Sequence, residues 1–323
     1  MIKLSRGKKI LLWGIAIVLV MLIAEALAYI IYESREEPRL HVSVILSSAQ
    51  TDRWENLRLG AEQAAGERRT EINIITMSVN ADAQEQIAVI NRELVNGTDA
   101  VIIEAADSRL VEEYFHTVAC DVPVIFLYSG SEHMEDAWYV AVDNYEMGHA
   151  LAEDIIEKEW KWVKVAIVLD DMQKQCVAER YQGVYDALAD YADEVVIWEK
   201  DDTIEESTLP LFLQEKMIEE AVDVVVTLDN QRTEAIIDAA QNLNKDIKIY
   251  GIGNSDKVVH YLDEGLIKAI AYPNDFSAGY LSMNIILQKK RQDKGTSIVE
   301  YKIVDREKMY TQEYEKVIFP FVK

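Results

Sequence analysis

The chain has 323 residues, of which 50% are hydrophobic and 28% are charged, a composition typical of a globular protein with a substantial core. Its formal net charge of −24 comes from 57 acidic and 33 basic residues. Because so acidic a surface repels nucleic acid phosphates and anionic lipid head groups, we expect neither as a partner.

The amino terminus carries the signature of a membrane anchor. Residues 1–9 hold four basic residues and no acidic one, and residues 10–32 are apolar apart from Glu25 and two tyrosines. A helix over 10–32 would be about 35 Å long, enough to cross a hydrocarbon core of about 30 Å. We therefore predict a cytoplasmic tail (1–9), a single-pass transmembrane anchor (10–32) and a short linker (33–39), with the rest of the chain outside the cytoplasm.

A cleaved signal peptide is the alternative interpretation of the same segment. Residues 26–28 (ALA) fit a small-x-small cleavage site. The apolar run continues past that site to Tyr32, which favours an uncleaved anchor.

From residue 40 onward, β-branched apolar runs alternate with helical patterns. The runs lack strict polar alternation, which indicates strands buried on both faces. Alternating strands and helices predict parallel sheets with right-handed crossovers, and two series of runs predict two Rossmann-like α/β lobes flanked by helices. The predicted strands are 41–46, 72–77, 100–104, 123–128 and 139–143, followed by 163–169, 194–198, 223–228, 247–252 and 268–272.

The stretch YVAVDNYEMGHALAEDII (139–156) joins the two series. It begins as a strand and ends as an amphipathic helix, with Asp143 and Asn144 between them. Asp and Asn cap helices by accepting backbone N–H bonds, and Glu146 adds favourable charge in the first turn. We interpret this stretch as the crossover from one lobe to the other.

Few residues suit metal or cofactor chemistry. The two cysteines, Cys120 and Cys176, lie in no CxxC pair, and no two histidines have HxxxH spacing. We expect no metal and no cofactor, and two free thiols rather than a disulfide.

Polar loops follow most of the predicted strands, at the edge where ligands of parallel sheets bind. They cover residues 47–54, 104–109, 128–132, 170–175, 229–232, 253–256 and 272–275. Loops from two facing sheets would line a cleft with hydrogen-bond donors and acceptors.

Several segments, in one order along the chain, carry a family resemblance. They include VSVILSSAQTDRWENLRLGAEQAA, VNGTDAVIIEAADS, VAVDNYEMGHALAEDI, ERYQGVYDAL and IYGIGNSDKVVHYLDEGLIKAIAYPNDFSAGYL. Residues 40–305 thereby resemble the type 1 periplasmic binding proteins, the ribose- and galactose-binding family that shares its fold with the ligand domains of LacI-type repressors. The resemblance implies an N-terminal lobe (40–142 and 273–297) and a C-terminal lobe (143–272 and 298–323) that close over a ligand by hinge motion.

The resemblance also implies ligand-binding positions. Carried over to this chain, they fall on Ser47, Thr51, Arg53, Trp54, Glu104, Tyr128, Ser129, Asp229, Gly253 and Tyr272, to which loop position adds Asn254 and Asn274. Arg180 is a further candidate, as the helix arginine near Ala178, which stands at the position of the family's sugar-binding arginine. Sugar binders of the family typically have asparagine at the position of Glu104 and an Asp-Arg pair at the positions of Tyr128 and Ser129. The scaffold therefore matches better than the monosaccharide pocket.

Several candidates have a structural alternative. Trp54 could stack on a sugar or pack in the core, and Arg53 could bind a carboxylate or hydroxyl pair or be a solvated helix residue. Glu104 and Asp229 could accept from a ligand or cap the next helix, as could Asn254. Arg180 could face the cleft or make an ion pair within its lobe.

These patterns favour a receptor that binds a small polar, sugar-like solute without chemistry, because no nucleophile–base set stands out. Its partner in the membrane would be an ABC permease or a sensor histidine kinase, and the nine-residue tail slightly favours sensing. The alternatives are a glycoside-processing enzyme that uses Glu104 with Asp229, and a degenerate module on the same fold that binds only a protein partner.

Overall fold

The computed structural model describes residues 13–14, 17–27, 40–47, 54–66, 70–78, 82–118, 120–129, 137–159, 162–169, 172–200, 204–241, 243, 245–288 and 295–318. The chain divides into two units, Met1–Leu40 and His41–Lys323. In the first unit, residues 13–14 and 17–27 are helical. The predicted tail, the linker and parts of the predicted anchor lie outside the described residues. Within the described residues, no helix has both the length and the apolar character needed to cross a membrane.

The second unit alternates strands with helices. The strands are β1 (Leu40–Leu46), β2 (Thr70–Thr76), β3 (Ala100–Ile103), β4 (Val124–Leu127), β5 (Trp138–Ala141), β6 (Lys164–Val168), β7 (Glu194–Trp198), β8 (Val224–Thr227), β9 (Lys248–Ile252), β10 (Ile267–Pro273), β11 (Thr296–Ile298) and β12 (Tyr301–Asp305). The α-helices are α1 (Glu55–Gly66), α2 (Ala83–Val95), α3 (Ser108–Thr117), α4 (Asn144–Lys158), α5 (Gln175–Leu188), α6 (Leu209–Glu219), α7 (Asn230–Ala240), α8 (Asp256–Asp263), α9 (Asp275–Leu287) and α10 (Gln312–Ile318).

Two six-stranded sheets define two lobes. The first has the order β11-β5-β4-β3-β1-β2 and the second the order β12-β10-β9-β8-β6-β7. We call the first sheet with α1–α3 and α9 the first lobe, and the second sheet with α4–α8 and α10 the second lobe. The chain passes between the sheets after β5, after β10 and after β11.

All ten predicted strands are present, each within two residues of its predicted limits. The strands β11 and β12 were not predicted. β11 has only three residues and pairs in parallel with β5, whereas β12 pairs antiparallel with β10 at the sheet edge. Short or half-buried edge strands lack the continuous apolar runs that identify buried strands.

Each lobe encloses its own apolar core. In the first, side chains of β1, β3 and β4 pack with Ile90, Val111 and Phe115 from the flanking helices. In the second, Trp198 and Tyr272 are among the largest fully buried side chains. Both cysteines are described and both are free thiols, as expected, with Cys176 buried and Cys120 half-buried.

Pairs of glycines bring two helices of each lobe into backbone contact. A Cβ added to Gly148 of α4 would lie 2.3 Å from a backbone oxygen of α5, and one on Gly183 of α5 would lie 2.1 Å from a backbone oxygen of α4. Gly60 of α1 and Gly279 of α9 make the equivalent contact in the first lobe. A Cβ added to either glycine would lie 2.0 Å from a backbone oxygen of the other helix. These four helices begin beside the loops at the carboxyl ends of the strands, so the glycines fix where those loops lie.

We predict that Gly183→Ala lowers the free energy of unfolding by about 1–3 kcal/mol, because a methyl group must push α4 and α5 apart. Gly66→Ala is the matched control, since open space surrounds Gly66; there the change should be a gain of less than about 1 kcal/mol. Urea unfolding of the purified full chain measures both. Equal effects of the two substitutions would contradict the close-packing account.

Candidate ligand-binding cleft

The amino end of α5 in the second lobe lies directly against loops of the first lobe. The backbone N–H of Gln175 donates to Ser108 Oγ at 3.2 Å, and that of Cys176 donates to Ser129 Oγ at 3.4 Å. In the opposite direction, the backbone N–H of Ser108 donates to the backbone oxygen of Gln173 at 3.2 Å. These contacts join the carboxyl-end loops of the two sheets, and we call the space they define the cleft.

Lys174 occupies the N-cap position of α5, where its side chain makes no capping hydrogen bond to the described residues of that helix. Helix caps are usually Ser, Thr, Asp or Asn, whose side-chain oxygens accept the first free N–H groups. Here the hydroxyls of Ser108 and Ser129, which belong to the opposite lobe, take that role. Contact between the lobes therefore supplies the acceptors for the amides of Gln175 and Cys176.

The Lys174 side chain instead reaches across to the first lobe. Its Nζ donates to Ser47 Oγ at 2.9 Å and lies 3.6 Å from Glu104 Oε1. The other carboxylate oxygen of Glu104 accepts the backbone N–H of Ser47 at 2.7 Å. Glu104 is 2% exposed and the Lys174 side chain 18% exposed, so the ion pair is largely shielded from water.

Glu104 is held firmly by its own lobe. Its N–H donates to the Ile45 oxygen at 2.9 Å, and its carbonyl oxygen accepts from the buried Gln86 side chain at 2.8 Å. The same Gln86 side chain accepts the Ala106 N–H, also at 2.8 Å. The interpretation of Glu104 as a helix cap was wrong, because Asp107 accepts the N–H from the first turn of α3.

A second contact across the cleft is centred on Asp275, at the start of α9 in the first lobe. The Tyr128 hydroxyl donates to one oxygen of the Asp275 carboxylate, and Asn254 Nδ2 of the second lobe donates to the other. Tyr128 has a φ of 59°, in the left-handed region that non-glycine residues seldom adopt. Ser255 caps α8, so the capping interpretation of Asn254 was wrong.

Trp54 lies in the first lobe with its indole ring against the Tyr128 ring. The ring centroids are 6.4 Å apart, the planes are inclined by 29°, and Trp54 is 2% exposed. Aromatic packing of this kind corresponds to the core alternative for Trp54. A stacking contact with a sugar stays a prediction.

The predicted crossover residues link both lobes. The capping interpretation of Asp143 is confirmed, because its carboxylate accepts a backbone N–H from the first turn of α4 at 3.0 Å. Asn144 Nδ2 donates to the Tyr128 backbone oxygen at 3.0 Å, and Asn144 Oδ1 accepts from Arg180 Nε at 2.9 Å. Arg180, 3% exposed, also donates to the Leu228 oxygen at 3.1 Å. Both bonds of Arg180 therefore lie within the second lobe, whereas the bond from Asn144 to Tyr128 reaches the first lobe.

Three further candidates have structural partners. Asp229 and Asn274 cap α7 and α9 by accepting backbone N–H bonds at 2.8 and 3.0 Å. The Tyr272 hydroxyl accepts from Asn56 Nδ2 at 3.2 Å and donates to the Ile318 oxygen at 3.4 Å. Burial raises the pKa of Tyr272, which keeps it a neutral phenol near neutral pH.

The structure thus brings Ser47, Glu104, Tyr128, Ser129 and Asn254 to the cleft contacts. Thr51 and Arg53 lie outside the described residues. The loops predicted to line the cleft contain Ser108, Lys174 and Asp275, but sequence reasoning did not single out these residues as candidates. A lysine directly before a helix, where a capping residue is usual, was the available signal for Lys174.

Comparison with known proteins agrees with this geometry. The chain matches the Periplasmic binding protein domain over residues 42–294 and belongs to that family. No curated protein matches the sequence.

Solved structures share the fold at low identity. One is a carbohydrate transporter solute binding protein from Agrobacterium radiobacter in complex with D-arabinose, with a TM-score of 0.77, 16% identity, and 88% of this chain and 100% of that one covered. Another is GanP, a glucose-galactose binding protein from Geobacillus stearothermophilus, with a TM-score of 0.73 and 16% identity over 85% of this chain and 100% of that one. A third is a chain from a XylFII-LytSN complex, with a TM-score of 0.72 and 16% identity over 84% of this chain and 100% of that one.

We predict that Arg180→Met lowers the free energy of unfolding by about 2–3 kcal/mol, because it leaves the buried oxygens of Asn144 and Leu228 without their donor. Arg109→Met is the control, since Arg109 makes a surface ion pair with Glu113 and its side chain is 69% exposed; its effect should stay below about 0.5 kcal/mol. Chemical denaturation compares the two. A loss no larger for Arg180 than for Arg109 would be inconsistent with its burial and bonding.

Proposed function

We propose that this chain is an extracytoplasmic receptor, anchored in the cell membrane through residues 10–32, that closes its two lobes on a small polar, sugar-like solute. Membership of the Periplasmic binding protein domain family supports the solute-binding part of the proposal. The neighbours with D-arabinose bound or named for glucose and galactose support a sugar-like ligand.

One observation carries the proposal: loops at the carboxyl ends of both sheets meet in one cleft with complementary polar groups. A carboxylate, hydroxyls and backbone amides from the two lobes contact one another there. A sugar hydroxyl both donates and accepts, so it can substitute for either partner in such a contact. Trp54 and Tyr128 add apolar ring surface beside the polar groups.

We further propose that the receptor acts with a partner in the same membrane. Of the two possible partners, we favour a sensor histidine kinase, which would receive a signal from the receptor, over an ABC permease, which would receive the solute. The XylFII-LytSN neighbour supports the use of this fold in a protein complex. Co-purification from membranes distinguishes the two partners, because a kinase supports sensing and a permease supports delivery.

A second candidate function follows from the same contacts. Because the side chains of Lys174 and Asn254 already bond to the opposite lobe, the lobes can close on each other directly. A chain that closes in this way could serve as a module that binds only a protein partner. The enzyme alternative receives less support, since the family and the neighbours are binding proteins.

The test is a thermal-shift screen of the purified full chain against sugars, polyols, amino acids and amines. A solute at 100 times its Kd should add about 2.7 kcal/mol to the free energy of unfolding. We expect at least one sugar-like compound to stabilise the protein. The Asn254→Ala variant should lose most of that stabilisation, whereas Asn91→Ala, an exposed position on α2, should keep it.

Two results would contradict the receptor proposal. If no compound in the panel shifts the transition, the partner-binding module becomes the better account. If a compound stabilises wild type and Asn254→Ala equally, the solute binds outside the cleft described above.

A further inference from the structure

The contact between Lys174 and the first lobe places an ammonium group in a polar site built by other residues. Ser47 Oγ and Glu104 Oε1 lie 2.9 and 3.6 Å from Nζ, and both belong to loops that follow strands of the first lobe. The Lys174 backbone belongs to the second lobe. Both side chains that contact the ammonium therefore belong to the first lobe, and the cation reaches them from across the cleft.

The first lobe fixes this site without help from Lys174. Glu104 is positioned through its backbone by Ile45 and Gln86, and through its carboxylate by the Ser47 N–H at 2.7 Å. A carboxylate that is 2% exposed requires a positive charge or several donors to remain ionised. Lys174 supplies a positive charge beside that carboxylate in the structure.

We propose that Ser47 and Glu104 form a subsite for a protonated amine of the solute, and that the ammonium of Lys174 competes for it as a tethered substitute. The inference depends on the proposed receptor function and narrows its solute to an amino sugar. Lys174 then acts as a specificity-determining residue, because a solute that carries its own positive charge replaces the ammonium that it displaces, whereas a neutral solute removes a positive charge from beside the Glu104 carboxylate.

A neutral hydroxyl at the same subsite compensates the Glu104 carboxylate less well than an ammonium group does. It can donate one hydrogen bond to the carboxylate, but it brings no charge to replace the ammonium that leaves. If Lys174 stays, its contacts with Ser47 and Glu104 already fill the subsite. The geometry therefore selects against neutral solutes at this position and favours ammonium over hydroxyl.

Isothermal titration of the full chain with matched sugar pairs tests the proposal. The probes are D-glucosamine against D-glucose and D-galactosamine against D-galactose, pairs that differ only by an amine in place of one hydroxyl. We expect the amino sugar of at least one pair to bind wild type at least tenfold more tightly than its neutral counterpart. This comparison needs no variant and so does not depend on the folding of one.

Variants separate competition from ordinary contact. Lys174→Met removes the tethered competitor and should raise the affinity for that amino sugar at least tenfold. Glu104→Gln keeps the side-chain shape, removes the charge and should lower the same affinity at least tenfold. Lys164→Met is the control, because Lys164 pairs with Glu194 on the surface of the second lobe and should leave binding unchanged.

The results that would contradict the amine subsite can be told apart from those that would contradict the receptor function. Neutral sugars that bind as tightly as amino sugars, or a Lys174→Met variant that binds the amino sugar more weakly, would overturn the amine subsite and leave the receptor function standing. The same holds if both pairs fail to bind while another compound of the screening panel binds. If no compound of either set binds wild type or Lys174→Met, both proposals fall together.

Discussion

The amino end of α5 places the strongest constraint on this molecule, because its first two amides are satisfied by hydroxyls of the other lobe. Free N–H groups at a helix start need acceptors, and the ammonium side chain of Lys174 at the N-cap position cannot accept a hydrogen bond. Ser108 and Ser129 supply them across the cleft. Contact between the lobes thus completes a helix, and the lysine side chain is left to reach the Glu104 carboxylate.

This constraint shapes what the cleft can bind. A solute that enters must replace contacts that the two lobes already make with each other, so its affinity reflects a difference between two sets of hydrogen bonds and charges. A neutral donor such as the Asn254 amide, which bonds to the Asp275 carboxylate, can be exchanged for a hydroxyl. In the proposed receptor, the ion pair of Lys174 with Glu104 resists such exchange, and charge would be the main discriminator among sugar-like solutes.

Much of the fold was predictable because buried parallel strands carry a strong pattern. All ten long apolar runs became strands, and Asp143 capped α4 as its chemistry indicated. The edge strands β11 and β12 were missed, since neither is a continuous apolar run. Long-range partners could not be predicted from local sequence. The sequence left Asn254 open between a ligand contact and a helix cap, whereas in the structure it bonds to a carboxylate 21 residues further along the chain in the other lobe.

Hydrogen exchange at the start of α5, measured on the full chain with no solute added, tests the central claim most directly. The account predicts that the amides of Gln175 and Cys176 are protected, because their only acceptors in the described part of the chain are Ser108 and Ser129 of the opposite lobe. Amides deeper in α5 serve as the internal reference for an intact helix. Exchange of Gln175 and Cys176 at the rate of an unfolded chain, with those deeper amides protected, would show lobes held apart and contradict the account.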